Sequence, residues 1–498
     1  MEHSPTRREG FARSKERFEE LVGFLDGEGA AQLDHAELER RLESEGRELL
    51  RLLFQDHLDL RAQREERLEE VVGSDGVVRR YAETGHTRPL ATIFGTVTVS
   101  RLAYRRNGEP NLHPADGALN LPAERYSHGL RCLAALEASR GSFDDAVEAI
   151  GRASGTHVPK RQAEALARRA AVDFDAYYTA RTLDQPADDD VLVISADGKG
   201  IVMLPDALRK ATAEAAAKAD PKLKTRLSKG EKRGRKRMAE VGAVYDVAPA
   251  PRNPTDIIGG EGQEKAPAPK AKNKWLTASV VTDAAEVISS VFDEAERRDP
   301  GHDRTWVALV DGNRHQIQRI QAEAATRDVT VTIVVDVVHV LEYLWSSAWS
   351  FFAEGDPAAE AWVADKALSV LDGNASTVAA SIRRKATRLG LEPAARKNAD
   401  TCADYLLSKR DYLDYPRALE KGWPIATGVI EGACRHLVKD RMDLTGARWG
   451  LPGAEAILKL RAIHTNGHFH DYWNFHLANE RQRVHESRYA HGVVPTAA

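Results

Sequence analysis

Residues 191–198 read VLVISADG, and this stretch decides the fold. An apolar run ends at Asp197 and Gly198. A second run, WVALVDGN at 306–313, ends the same way at Asp311. Strands buried on both faces read as continuous apolar runs, and ligands gather beyond the carboxyl ends of such strands. Each Asp precedes a glycine, which lets the backbone turn and leaves room for a ligand. Asp-Gly is also a common turn pair, so either site alone reads as a solubilising turn. Two such sites in succession, with Glu431 in TGVIEGACRH (427–436), read as a site that holds divalent cations.

Outward from this stretch, further strands are expected in MAEVGAVYDVA (238–248) and KWLTASVVTD (274–283). AEVISSVFDEAERR (285–298) has helical spacing, TWVALVDG (305–312) is a strand, RHQIQRIQAEAA (314–325) a helix and VTVTIVVD (329–336) a strand. The pattern predicts an α/β core, a mixed sheet of about five strands, in the order found in ribonuclease-H-like domains. That domain covers 190–339 and resumes at 421–465, interrupted by a helical insertion at 340–420. In the insertion Trp345, Trp349, Phe351, Phe352 and Trp362 are expected to build a small core. The linker 183–190 precedes the sheet, and 466–498 reads as a C-terminal tail.

The N-terminal part changes character three times. Residues 1–75 read as helical from residue 12 to about 72, with Leu38, Leu42, Leu49, Leu52 and Leu53 at near-helical spacing, a hairpin that packs or dimerises. Residues 76–125 form a small β region, in which Arg79, Arg80, Arg101, Arg105 and Arg106 interleave with Tyr81 and Tyr104. It reads as a ribbon for a phosphate backbone or as a solvated sheet face. Residues 126–182 return to helix. Ser142 is placed to cap one helix and Gly155 to end it, and the next opens with Lys160, Arg161 and Gln162. That layout fits a helix-turn-helix, whose second helix meets base edges, and equally an ordinary helical bundle.

The chain of 498 residues is 42% hydrophobic and 29% charged, and no apolar stretch reaches a membrane span. The N-terminus lacks a secretory h-region, and the cysteines Cys132, Cys402 and Cys434 form no paired motif, which together point to a reducing cytoplasm. Net charge is only −4, but from Arg209 to Arg237 twelve Lys/Arg stand against three Asp/Glu. Local basic surface of this kind can hold DNA while the total stays near zero. Within the 205–237 insert, Arg233, Arg235, Lys236 and Arg237 are candidate DNA contacts, with a solvated charge run as the plain alternative.

Mg²⁺ prefers oxygen ligands and keeps several waters, so Asp197, Asp311 and Glu431 with phosphate oxygens suffice for two ions, and Mn²⁺ can substitute. Thr427 is placed to cap the helix of Glu431, with Arg435 and Lys439 on the same face. Those two bases face phosphate or make surface ion pairs. Asp336 competes with Asp311, since it too ends an apolar strand, and it lies three residues before His339. Asp336 and His339 read as a supporting shell or as a structural pair. Arg448 and Trp449 could stack on an unpaired base, or Trp449 could pack inside.

The strings RPLATIFGTVTVSRLAYR (88–105), LNLPAERYSHGLR (119–131), VISADGKGIVM (193–203), ALVDGNRHQ (308–316), DVVHVLEYLW (336–345), GVIEGACRHLVKDRMDLTGARW (428–449) and LRAIHTNGHFHDYW (460–473) resemble the ISKra group of bacterial insertion-sequence transposases. The similarity runs from about residue 76 to the end. It implies a DDE transposase with a ribonuclease-H-like catalytic domain, its triad at Asp197, Asp311 and Glu431. Related superfamilies carry a Cys-or-Asp-x-x-His motif, matched by Asp336 and His339, and a helical insertion before the Glu. The expected partners are double-stranded DNA at terminal inverted repeats and targets, and further copies of the chain, a homodimer or higher multimer. The expected place is the bacterial cytoplasm, at the nucleoid. The alternatives are a non-catalytic DNA-binding protein and a nuclease without strand transfer.

Overall fold

The computed structural model describes residues 9–182, 190–218, 223, 225, 226, 234–259, 265–444 and 446–496. The chain divides into two units, Met1–Ala180 with Gly467–Ala498, and Arg181–Asn466. No described helix is long and apolar enough to cross a membrane.

The first unit begins with helices Ala12–Leu25 and His35–Gln63, the second opened by a capping box between Asp34 and Glu37. The helix expected to reach residue 72 ends at Gln63, and Val71–Val72 (β1) pairs instead with Val78–Arg79 (β2). Tyr81–Thr92 (β3) and Gly95–Arg105 (β4) form the expected antiparallel ribbon. Its bases are largely committed: Arg79 is buried and paired with Asp75, and Arg101 is paired with Asp116. Of its two tyrosines, Tyr104 is buried and Tyr81 is exposed. Helices His128–Arg140, Phe143–Ser154 and Lys160–Ala170 follow. Ser142 and Asp145 make a capping box, and Gly155 ends that helix at φ +65°. Leu130, Ile150, Val158, Ala163 and Leu166 form the core between the three helices.

Residues 466–498 are not a tail. Helix Phe469–Val484 belongs to the first unit, where Glu480 receives the Arg131 guanidinium at 2.5 and 2.6 Å.

The second unit is a mixed α/β structure around a sheet of order β7-β6-β5-β8-β9. β5 is Val191–Met203, β6 Arg235–Val247, β7 Ala271–Ser279, β8 Trp306–Val310 and β9 Val331–Val335. β5, β6 and β7 pair antiparallel, while β8 joins β5 and β9 joins β8 in parallel. The central position explains the apolar runs: Leu192, Val193, Ile194 and all of Trp306–Val310 are buried. Each fully buried Val or Leu stabilises the fold by about 1.5–3 kcal/mol. Helix Ala284–Arg298 lies close on the sheet, because Gly242 carries no side chain: a Cβ there would stand 2.5 Å from Val291 Cγ2. Helix Arg314–Thr326 connects β8 to β9.

Asp197 does not end its strand. β5 runs six residues further as a hairpin with β6, although its parallel pairing with β8 stops at Ser195 and Leu309. The insertion comprises helices Val337–Ala348, Pro357–Leu371, Ala375–Arg388, Pro393–Lys409 and Tyr415–Glu420. Its core is aliphatic rather than aromatic, with Val363, Ala367, Ile382, Ala399 and Leu406 buried. Trp349 is exposed, and Phe351, Phe352 and Trp362 surround the Lys385 ammonium instead.

Candidate metal centre

Three aspartates follow the parallel-paired stretches of three adjacent strands, β5, β8 and β9. The pairing of β5 with β8 ends at Ser195 opposite Leu309, two residues before Asp197 and Asp311 respectively. Val310 is opposite Val335, which sets Asp311 beside Asp336, and the Asp336 amide donates to the Val310 carbonyl at 2.8 Å. The two competing aspartates are therefore neighbours on one edge.

Asp336 is fully buried. Its Oδ1 accepts from the Val338 amide at 2.9 Å, which caps helix Val337–Ala348 and fixes the carboxylate. Its Oδ2 meets His339 Nδ1 at 3.1 Å and accepts from the Thr427 hydroxyl. Thr427 was expected to cap the following helix. It makes no side-chain cap; its Oγ1 lies between Asp336 and Glu431, 3.3 Å from Glu431 Oε1. A hydroxyl has one proton, so it donates to one carboxylate at a time. One ligand atom each from Asp336, His339 and Glu431 lies within 4.8 Å of the others, a group that could hold a metal ion. Burial grades from Asp336, inside, through His339 to the exposed Glu431, which leaves a path for an ion.

Asp197 reaches the same helix by another contact. Cys434 Sγ donates to Asp197 Oδ2 at 3.3 Å, and the Gly198 amide holds Oδ1 at 2.6 Å. Burial pushes the Cys434 thiol well above its usual range, and the Asp197 charge adds to this, so the sulfur stays protonated as a donor. Cys434 follows Glu431 by three residues, where helix Gly428–Ala433 gives way to a π-helical turn, Cys434–Lys439. Such turns insert a residue and re-aim side chains, often at functional sites. The turn breaks the simple spacing expected for Glu431, Arg435 and Lys439. Arg435 stays exposed, 3.7 Å from Asp440, and Lys439 is exposed as well.

Asp311 sits in a real turn. Gly312 adopts φ +92°, and a Cβ there would stand 2.8 Å from the Tyr405 hydroxyl. Tyr405 donates to the Asp311 carbonyl at 3.1 Å, and the Asn313 amide donates to Asp311 Oδ1 at 2.7 Å. On the next helix, Gln316 binds the Ala196 carbonyl beside Asp197.

Burial alone would lower the His339 pKa. Its hydrogen bond to Asp336 and the charges of Asp336, Glu342 and Asp311 outweigh that and raise it. Among the described residues no lysine or arginine pairs with Asp197, Asp311, Asp336 or Glu431, and His339 is the basic side chain that meets Asp336. Clustered carboxylates repel, and a divalent ion relieves that repulsion.

Other expected contacts fall differently. Lys160 pairs with Asp144 at 2.6 Å, while Arg161 and Gln162 are exposed at the start of their helix. Arg237 is turned inward, donating to the Val280 carbonyl at 2.7 Å and to Val281 and Ala207. Arg235 and Lys236 lie on β6, and Arg233 falls outside the described residues. Trp449 is packed rather than offered to a base: it is 6% exposed, bridges to Met203 and donates to the Met442 carbonyl at 3.0 Å. Arg448 beside it is exposed. Thr427, Cys434 and Tyr405 were missed as site residues, and only the nearness of Thr427 and Cys434 to Glu431 could have flagged two of them.

Compared with models of known protein families, the chain matches none. Comparison with curated proteins gives no significant match.

Proposed function

We propose that this chain is a metal-dependent transposase, with a ribonuclease-H-like core that cuts DNA at element ends and joins the freed 3′-hydroxyls to target DNA. The observation that carries the reading is the row Asp197, Asp311, Asp336, joined to Glu431 through Thr427 and Cys434. The sheet order and the helical segment that intervenes before Glu431 support it, as does the resemblance of the sequence.

Mg²⁺ suits the carboxylates, and the imidazole of His339 makes Mn²⁺ an equally good occupant. A bound divalent ion supplies charge stabilisation to the phosphodiester and lowers the pKa of water or of a 3′-hydroxyl. The side chains do the rest. Asp197, Asp311 and Glu431 present oxygens on an accessible edge. Asp336 orients His339, and Thr427 sets the spacing of Asp336 and Glu431. The exposed Arg161, Gln162, Arg435, Lys439 and Arg448 are the bases and polar groups open to DNA.

Cleavage of DNA carrying the element ends, with Mg²⁺, tests this against Asp311→Asn. Wild type should cut and yield joined products, and the variant should lose activity by on the order of a hundredfold or more, several kcal/mol of charge stabilisation. Equal cutting by the variant would remove Asp311 from the site. Binding without cutting by the wild type would favour a non-catalytic DNA-binding protein, and cutting without joining a nuclease.

A further inference from the structure

The helical hairpin that opens the first unit leaves an apolar face in solvent. Its helices, Ala12–Leu25 and His35–Gln63, run antiparallel: Arg13 pairs with Asp56, Arg17 with Glu45, and the Arg41 guanidinium lies 3.7 Å over the Phe24 ring. Side chains three or four residues apart share a helix face. Phe18, Val22 and Leu25 make one such row on the short helix. Leu42, Leu50 and Leu53, with Gly46 between them, make another on the long one. Each row lies one residue beyond the row that contacts the partner helix, a rotation of about 100°. In two right-handed helices of opposite direction, that rotation carries both rows to the same side of the pair. All six side chains are between 37% and 55% exposed. A contiguous apolar patch on a folded surface marks a protein contact.

We infer that this face joins two copies of the chain, long helix against long helix in antiparallel fashion. The long helix is self-complementary in that direction. Its apolar row is preceded by exposed Glu39 and Glu43 and followed by exposed His57, Arg61 and Arg64. A two-fold axis near residue 48 sets Leu50 opposite Gly46 of the second copy, where nothing lies within 4 Å of the missing Cβ. It sets Leu42 opposite Leu53, and Glu39 opposite the end that carries His57 and Arg61. Within one chain Glu39 and Arg61 stand about 33 Å apart along the helix, so they can meet only across copies. The inference concerns the first unit alone and stands whether or not the second unit cleaves DNA.

Sedimentation of the full chain at micromolar concentration and low salt tests it, with circular dichroism as a check on helix content. Wild type should sediment as a dimer and Leu50→Glu as a monomer. Glu39→Arg and Arg61→Glu should each weaken association about tenfold, since each places like charges opposite one another. Mixed together, those two variants should pair with each other, because every contact then joins opposite charges. A monomeric wild type, a dimeric Leu50→Glu, or a mixture that associates no better than its components would overturn the inference.

Discussion

Two charged clusters, one in each unit, are built in opposite ways. In the first, Arg131 is 1% exposed and lies between Glu480 and Glu124. His476 meets Glu480 and Asp173, and Asp173 also holds Arg483. Every acid there has a base. In the second unit Asp336 and Glu431 gather with His339, while Asp197, on β5, and Asp311, after β8, lie outside that group. Burying a charge costs several kcal/mol unless it is paired, so the first cluster is organised for the fold. The second is tolerable because it is graded toward solvent, and its deficit of positive charge is what a cation would fill.

The difference can be broken at its strongest point first. Arg131→Met leaves Glu480 buried without its main partner and should destabilise the protein by about 3–5 kcal/mol in denaturant unfolding. Asp336→Asn should cost far less, since it relieves repulsion while keeping the amide capped. If the two cost the same, the contrast fails. Next in size, His339→Ala should weaken Mn²⁺ binding by about 10–100-fold, between 1.4 and 2.8 kcal/mol, with little effect on unfolding. An unchanged Mn²⁺ affinity would make His339 purely structural.

The smallest effect is in pH. Burial alone would raise the Glu480 carboxyl, but hydrogen bonds from His476 and Arg131 hold it well below the usual range. Asp173 is likewise lowered, its burial outweighed by His476 and Arg483. Their stabilisation is therefore present above the unfolded carboxyl values, near pH 4, and is lost as pH falls through the folded ones. His476 is raised by Asp173 and Glu480 against its burial. Its contribution is complete below about pH 6.5 and is lost as pH rises through the folded value. Melting of the first unit should thus be highest between about pH 4.5 and 6.5, and His476→Gln should flatten the alkaline side. A variant that keeps the same alkaline slope would show that His476 does not carry it.

The sequence made the central strands legible because burial on both faces leaves continuous apolar runs, as at 191–196 and 306–310. Asp197 was misplaced at a strand end because Lys199 and Gly200 have poor strand propensity, and only pairing with Ala239 and Met238 keeps them extended. Helix Phe469–Val484 read as a tail because its partners are distant: Glu480 and Arg131 are 349 residues apart. Thr427 read as a cap, since nothing local shows that its hydroxyl turns to Asp336, 91 residues earlier. Trp449 gave no sign of its bridge to Met203. Local pattern carries periodicity and turns, whereas the contacts that assemble a site are long-range.

The most direct test is calorimetric titration of Mn²⁺ into the wild-type chain and into Glu431→Gln. Wild type should bind, and the variant should bind at least about tenfold more weakly, because Glu431 is the exposed ligand that completes the group with Asp336 and His339. No binding by the wild type, or equal binding by the two, would contradict a metal centre at this edge of the sheet.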